Sequence, residues 1–268
     1  MGVKSLYTMV YDIETVPDCA SGRKLLNLQN VSDEEVVKAL QARRLEQTQG
    51  TSDFLPHYLQ RIVAISVVVS GREWVKVWSL GEDADEKALL ERFFSGIDKY
   101  CPTLVSWNGS GFDLPVLHYR ALLHGVVASK YWETGERDSE FKWNNYLSRY
   151  HNRHTDLMDV LSGYQNRAFA PLTEIALMLG FPGKMGMDGK QVWAQFQSNN
   201  LQSIRDYCET DVLNTYLVYL KFQQIRGCIS VAERVGEEER LAFFLKESGK
   251  PHLLAFLEIW HGSESKID

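Results

Sequence analysis

The chain has 268 residues, of which 44% are hydrophobic, 12% aromatic and 24% charged. This is the composition of a globular protein, and it excludes a fibrous or disordered class. No apolar run approaches the roughly 18 residues that a membrane helix needs, and the longest, Ile62 to Val69, already contains Ser66. The formal net charge of −6 argues against broad binding of nucleic acid through net charge, although bound divalent cations would supply positive charge locally.

The N-terminus and the cysteines bear on the compartment in which the chain works. Met1 to Val10 lacks the long apolar stretch and the cleavage site of a signal peptide. The four cysteines are far apart in the sequence and form no C-x-x-C pair: Cys19, Cys101, Cys208 and Cys228. This spacing disfavours a zinc site and a disulfide framework. We therefore expect reduced thiols, a cytoplasmic protein and no membrane partner.

The first third of the chain predicts strands separated by an insertion. β-Branched and apolar runs predict three strands: Leu6 to Glu14, Arg61 to Ser70, and Glu73 to Leu80. Gly71 and Arg72 are typical of a short hairpin turn between the last two strands. Residues of about 15–60 form an insertion, in which Ser32 and Glu35 match the capping box of a surface helix.

The rest of the chain alternates between helices and strands. Apolar residues at helical spacing predict four helices: Asp85 to Tyr100, Leu114 to His124, Leu172 to Leu179, and Leu201 to Arg226. Thr103 to Trp107 predicts a central strand, and Thr155 to Leu161 is either a strand or the start of a helix. Together these elements predict an α/β fold, with a mixed sheet flanked by helices. We expect one domain over residues 1–250 and a C-terminal tail over 251–268.

The first chemical feature is Asp12-Ile13-Glu14, at the end of the first strand. The two-residue period of a strand puts both carboxylates on one face and Ile13 on the other. Neighbouring carboxylates suit Mg²⁺ or Mn²⁺. The alternative is a polar strand end that turns into a loop.

The second feature is the segment from Asn108 to Asp113, which follows the central strand and precedes a helix. Asp113 fits the N-cap of that helix, with Pro115 in its first turn. The functional alternative is an acid at the edge of the sheet where the first strand also ends, which is the place that a further metal ligand would occupy.

The third feature is Tyr207 to Asp211, inside the longest predicted helix. Residues four apart share a helix face, so the Tyr207 hydroxyl and the Asp211 carboxylate can point into one site. Alone the pattern is also compatible with a surface aromatic residue and a solvated acid.

Together, D-x-E, N-x-x-x-F-D and Y-x-x-x-D resemble the three motifs of the 3′–5′ exonucleases that use four acids and a tyrosine. More closely, the chain looks like the bacterial proteins related to the proofreading exonuclease domain of family-B DNA polymerases. The resemblance extends over residues of about 6–220 and implies an RNase H-like fold. The chain has too few residues for a polymerase, so any proofreading or repair role would be carried out in trans.

The resemblance implies a two-metal site that takes Mg²⁺ or Mn²⁺. Asp12, Glu14 and Asp211 would hold one ion, and Asp12 and Asp113 would hold the second, with the ions roughly 3.5–4 Å apart. Tyr207 would orient the attacking water.

The resemblance also implies that the site is of the type with a tyrosine and not a histidine, and it indicates which residues contact substrate. A sister subfamily places a histidine five residues before the last acid, where this chain has Asp206, so the tyrosine version is indicated. Ile13, Asn108 and Phe112 match the positions that contact substrate near its 3′ end.

Other segments have a structural and a functional interpretation. Phe141 to His154 mixes three cations with aromatic residues and no acid, and either guides a single strand or covers the core. Gly183 to Lys190 either contacts phosphates or is a plain loop, and it lacks the G-K-[ST] ending of a phosphate loop. His154, Asp156 and Asp159 are better explained as structural groups than as further ligands.

The sequence therefore predicts a metal-dependent 3′–5′ exonuclease that hydrolyses single-stranded nucleic acid and releases nucleoside monophosphates. DNA is favoured by the resemblance alone. An exoribonuclease with the same site is the nearest alternative, because nothing in the motifs reads a 2′-hydroxyl. A binding module that has kept the fold without catalysis is the alternative from another class.

Overall fold

The protein is described by a computed structural model that covers residues 6–81 and 85–264. Five strands form one sheet: β1 (Thr8–Pro17), β2 (Gln60–Ser70), β3 (Val75–Ser79), β4 (Thr103–Ser106) and β5 (His154–Asp156). Their order across the sheet is β3-β2-β1-β4-β5. The hairpin strands β2 and β3 are antiparallel to their neighbours, whereas β4 and β5 run parallel to β1. The predicted mixed sheet, antiparallel first and parallel afterwards, is confirmed.

Helices flank this sheet. They are α1 (Cys19–Leu26), α2 (Asp33–Gln47), α3 (Glu86–Tyr100), α4 (Asp113–His124), α5 (Leu157–Leu161), α6 (Leu172–Met178), α7 (Val192–Gln197), α8 (Leu201–Ile225), α9 (Val231–Ser248) and α10 (Pro251–Glu264). The four helices predicted from apolar spacing correspond to α3, α4, α6 and α8. Among the described residues, no helix has the length and apolar character to cross a membrane.

The insertion after β1 is partly helical, as predicted. Ser32 and Glu35 form a complete capping box at the start of α2, with the Glu35 N–H donating to the Ser32 hydroxyl at 3.3 Å. α1 was not predicted; it begins after Asp18, whose carboxylate accepts from the Ser21 N–H at 3.0 Å. α9 was also missed, although Ser230 begins a second capping box at its N-terminus.

The C-terminal segment differs from the predicted tail. Residues 251–264 form α10, which starts at Pro251, a residue favoured in the first turn of a helix. Its apolar side chains are buried against the rest of the molecule: Leu253, Phe256 and Trp260. The segment is a helix because it covers an apolar surface that α8 and α9 would otherwise expose. The last four predicted tail residues, 265–268, lie outside the described residues.

The two faces of β1 pack against different helices. Tyr11 and Ile13 point toward α3 and α4 and lie in one hydrophobic core. Val10 points to the other face and packs in a second core, which α8, α9 and α10 complete. By strand alternation, Asp12 and Glu14 follow Val10 onto the α8 face. α8 is therefore the helix that lies over the two carboxylates of β1.

Candidate active site

Asp12 and Glu14 lie side by side near the end of β1. Glu14 is 8% exposed and Asp12 is half-buried. Ligand atoms of both carboxylates lie within 4.8 Å of each other and of the Cys208 Sγ. A bulge in the β1–β2 pairing follows Glu14, so the regular ladder is interrupted where the acids end. The expectation that both carboxylates share a face is confirmed.

Asp113, the first residue of α4, contacts the same strand. The pairing of β1 with β4 stops at Val10 and Val105, and beyond that point the Ile13 N–H donates to the Asp113 Oδ1 at 3.1 Å. Phe112, not Asp113, is the N-cap of α4, and no side chain caps this helix. Asp113 is thus turned toward β1 and is 4% exposed. The interpretation of Asp113 as a simple N-cap is wrong.

The loop before Asp113 is held by a residue whose role the sequence did not reveal. The Asp156 carboxylate, 4% exposed, accepts from the backbone N–H groups of Asn108 at 2.9 Å and Ser110 at 2.7 Å. Gly109 packs so closely that a β-carbon would lie 2.4 Å from the Ser106 hydroxyl. Asp156 therefore positions the loop that leads into Asp113. The only sequence signal for this role was its position at the end of a short strand.

α8 contributes the remaining groups. Tyr207 and Asp211 lie one turn apart on the same face of α8, and each affects the pKa of the other. Between them, the Cys208 thiol contacts Asp12, with Sγ 3.5 Å from both the backbone oxygen and the carboxylate Oδ2. This contact brings the helix face directly onto the strand. The three sequence motifs, which are up to 199 positions apart (from Asp12 to Asp211), therefore meet in one place.

The four carboxylates share an electrostatic environment that disfavours their charge. Burial raises the pKa of Asp12 well above its usual value, and repulsion from Asp113, Glu14 and Asp211 raises it further. Burial likewise raises the pKa of Glu14 well above normal, the pKa of Asp113 to about 7 and the pKa of Asp211 to about 6. Like charges gathered away from water create a demand for a cation. These four side chains are called the acidic cluster below.

Two further groups border the acidic cluster. Lys184 lies in the loop before α7. Burial raises the pKa of Glu14 and Asp211, and the charge of Lys184 offsets a part of that rise. Its ammonium also pairs with Asp188 at 3.2 Å. Burial raises the pKa of Tyr207, and the nearby carboxylates raise it further, so its phenol keeps its proton. The loop from Gly183 to Lys190, for which the sequence allowed two interpretations, thus places a cation near the acids.

His154 does not belong to this cluster. Its Nε2 hydrogen-bonds to the Ser106 hydroxyl at 2.9 Å, and burial lowers its pKa to about 4, so the ring is neutral. The expectation that it is a structural histidine agrees with this geometry.

A family model places the chain among known proteins. Residues 52–260, well over half of the chain, match the model described as "Predicted 3′-5′ exonuclease related to the exonuclease domain of PolB". The chain belongs to this family. The matched residues include Asp113, Tyr207 and Asp211, whereas Asp12 and Glu14 precede them.

Curated relatives of this exonuclease-family chain are catalytic subunits A of DNA polymerase epsilon. The subunit of Yarrowia lipolytica is 27% identical over 54% of the chain and 6% of its own length. That of Saccharomyces cerevisiae is 26% identical over 56% of the chain and 7% of its own length. The chain thus spans only a small part of these relatives.

A comparison with solved structures finds partial similarity to two proteins among others. The family B DNA polymerase of Pyrobaculum calidifontis has a TM-score of 0.45 and 16% identity, covering 90% of this chain and 28% of its own. The zinc-bound E. coli ExoI–ssDNA complex has a TM-score of 0.33 and 10% identity, covering 85% and 46%.

The predicted substrate-contact positions of this family member fall in different surroundings. The side chain of Ile13 is 4% exposed inside the core, and its N–H donates to Asp113, so its role as a substrate contact stays a prediction. Asn108 lies in the loop with a left-handed backbone, at φ 62°. Phe112 is half-buried and packs its ring 5.8 Å from that of Phe54, in the insertion. The insertion therefore reaches the loop that precedes Asp113.

Proposed function

We propose that this protein is a 3′–5′ exonuclease that hydrolyses single-stranded nucleic acid, DNA by preference, and releases nucleoside monophosphates. The observation that carries the proposal is the acidic cluster. Four carboxylates from β1, α4 and α8 face one another. Burial raises the pKa of each of them, and repulsion from the other acids raises the pKa of Asp12 and Glu14 further. Such an arrangement is costly in a fold unless a cation compensates it.

The donor set fits two Mg²⁺ or Mn²⁺ ions. Asp12, Glu14 and Asp211 would hold one ion, and Asp12 and Asp113 the other, since hard divalent cations prefer carboxylate oxygens. Cys208 is the one soft atom nearby. Burial raises the pKa of its thiol, so it stays protonated and hydrogen-bonds to Asp12 instead of acting as a ligand. When bound, the two ions supply hydroxide near neutral pH and stabilise the leaving 3′ oxygen.

The chain's own residues then orient the reactants. The Tyr207 phenol, still protonated and one helical turn from Asp211, would hold the attacking water in line with the phosphorus. Lys184, which already faces Glu14 and Asp211, would contact a nonbridging oxygen of the scissile phosphate. Asp156 keeps the Asp113 loop in register through its bonds to backbone amides.

DNA is the favoured substrate because the curated relatives are DNA polymerase subunits. A place in proofreading or DNA repair is part of this proposal. The alternatives are an exoribonuclease with the same cluster and a nucleic-acid-binding module without catalysis.

The test is cleavage of 5′-labelled single-stranded DNA and RNA of one sequence, with Mg²⁺ or Mn²⁺ or with EDTA. We expect a metal-dependent ladder that shortens from the 3′ end and is stronger for DNA. Asp12→Ala, which removes the carboxylate assigned to both ions, should abolish the ladder and remain folded. A faster RNA ladder would favour the exoribonuclease. Binding of either strand without cleavage, with metal present, would favour the binding module.

A further inference from the structure

A second cleft lies beside the loop that leads into Asp113. It consists of two adjoining cavities of about 260 and 430 Å³. Both cavities are lined by the same central side chains, Ser110, Arg149, Asp159 and Tyr164, together with His154 at their base. Tyr150 and Arg226 line the smaller cavity. We call this feature the Arg149 cleft.

Arg149 is held in place by aromatic groups. Its guanidinium lies 5.0 Å from the ring centre of Tyr150 and 5.5 Å from that of Tyr164. One guanidinium nitrogen donates to the Tyr150 hydroxyl at 2.9 Å, and the Tyr164 hydroxyl donates to the Arg149 backbone oxygen at 3.3 Å. The salt bridges found within residues 6–81 and 85–264 do not include Arg149. The cation is therefore oriented, and it can still pair with an anion.

The aromatic rings at the cleft are exposed to an unusual degree. Tyr150 is 81% exposed and Tyr164 is 41% exposed. By contrast, Phe141 and Tyr146 of the same segment are buried, and Arg153 stacks on Phe141 in the core. The segment from Phe141 to His154, for which the sequence allowed two interpretations, thus has two parts. One completes the core, and the other exposes aromatic rings and a cation to solvent. Exposed rings beside an arginine are the combination that binds single-stranded bases and phosphates.

The carboxylates that face the cleft leave room for an anion. The Asp156 carboxylate is occupied by the amides of Asn108 and Ser110 and by those of its own helix start. Asp159 lines both cavities together with Ser110 and Arg149. Arg226, stacked on Phe222 at 5.2 Å, adds a second exposed cation on the far side of the cleft.

One loop connects the cleft to the acidic cluster. Ser110, which lines both cavities, belongs to the loop that ends in Asp113, and its backbone N–H is fixed by Asp156. We propose that the Arg149 cleft binds the single-stranded segment on the 5′ side of the cleaved nucleotide. Arg149 pairs with a phosphate, and the rings of Tyr150 and Tyr164 stack on bases. This inference rests on the proposed function, since it takes the strand's 3′ end to lie at the acidic cluster.

The direct test is binding of a fluorescent oligo-dT dodecamer to the full chain in EDTA, measured by anisotropy. Tyr150→Ala should weaken binding by about 5- to 150-fold, the range expected for one stacked base. Arg149→Gln should weaken binding and lower the slope of log affinity against log salt by about 0.7, the share of one phosphate on a single strand. Thermal unfolding checks that both variants keep the fold, as the exposure of Tyr150 leads us to expect.

Lys99→Gln is the matched control. Lys99 is also an exposed cation over a tyrosine, 4.8 Å from the ring of Tyr100, but it precedes the amino end of β4, whereas the Ser110 loop of the cleft follows the carboxyl end of that strand. Its affinity for the dodecamer should equal that of the wild type. Equal losses in Lys99→Gln and Arg149→Gln would overturn the proposal, because they would reflect general charge and not the cleft.

Steady-state cleavage separates this inference from the proposed function. For the dodecamer, Arg149→Gln and Tyr150→Ala should raise KM more than they lower kcat, and the rise should be smaller for a trinucleotide, which leaves most of the cleft empty. An active wild type whose KM for the dodecamer is unchanged in both variants would overturn the cleft and leave the exonuclease standing. If the wild type is inactive but binds the strand, and the variants lose that binding, the cleft stands and the exonuclease proposal is overturned. Equal competition by duplex DNA would also overturn the single-strand assignment.

Discussion

Buried carboxylates occur in this protein in two contrasting settings. In the acidic cluster, Asp12, Glu14, Asp113 and Asp211 face one another, and their pKa values are raised. A few residues beyond Glu14, Asp18 is equally buried but meets the guanidinium of Arg120 at 2.5 Å. Although burial raises the pKa of Asp18, hydrogen bonds from Ser21 and Arg120 hold it below its usual value.

In the second setting the acids are paired with cationic side chains. Arg120 also binds both carboxylate oxygens of Glu86, which accepts in addition from the Ile62 N–H at 2.7 Å and contacts His124. Such an ion network holds α3, α4 and the end of β1 together. Within residues 6–81 and 85–264, no salt bridge pairs a carboxylate of the acidic cluster with a cation, and Lys184 approaches it from a loop. The comparison shows how a structural group of buried acids differs from one that is prepared to take a cation from solution.

The largest expected effect is on catalysis by Asp113→Asn. The amide keeps an oxygen that accepts from the Ile13 N–H but removes one charge from the cluster. We expect cleavage to fall by about 10³-fold or more, the scale of losing metal-based charge stabilisation, while the melting temperature in EDTA rises. The matched change Asp18→Asn should lower the melting temperature. A lower melting temperature in both variants would remove the distinction between the two settings.

Arg120→Met tests whether the ion network of the second setting stabilises the fold. The change leaves Asp18 and Glu86 buried without their cation, which costs about 3–5 kcal/mol of unfolding free energy. Urea unfolding measures this loss. A double variant that also changes Glu86 to Gln should recover part of it, because fewer uncompensated charges remain. An unchanged midpoint for Arg120→Met would show that the network contributes no net stability.

Tyr207→Phe separates water positioning from metal binding. Without the hydroxyl, the attacking water loses its orientation, and we expect kcat to fall by about 10²-fold. The carboxylates are untouched, so Mn²⁺ affinity by calorimetry should stay close to that of the wild type. Weaker Mn²⁺ binding would instead assign Tyr207 to the metal site.

The last prediction concerns the pH dependence of stability without metal. The carboxylates of Asp211 and Asp113 have folded pKa values of about 6 and about 7, above the value of about 4 for an unfolded aspartate. A raised pKa stabilises the fold fully below pH 4 and loses that contribution as the pH rises through 6 and 7. In EDTA the unfolding free energy should therefore fall across this window. Mg²⁺ should reverse the trend, because it binds the ionised acids, and a flat profile in EDTA would contradict the raised pKa values.

The motif residues could be predicted from the sequence because their local geometry is periodic. Strand alternation places Asp12 beside Glu14, and helical spacing places Tyr207 beside Asp211. The hairpin strands and the helix over Glu86–Tyr100 follow from the same periodicities. The C-terminal helix could not be read in this way, since its existence depends on the apolar surface of α8 and α9 that it covers.

Long-range contacts account for what the sequence missed. Asp156, Lys184 and Arg120 look like ordinary surface charges in the sequence, but their partners lie many residues away. Asp113 fits an N-cap by local rules, and only the splaying of β1 from β4 turns it to the Ile13 amide.

The sequence by itself determined the α/β pattern, the three acidic motifs and the chemistry that their side chains can perform, because short-range periodicity controls strand and helix faces. Only the tertiary structure decided which acids are compensated and which are not. Burial and the distance to a counter-charge depend on packing between distant segments. These two quantities determine whether a carboxylate stabilises the fold or needs a bound cation to compensate its charge.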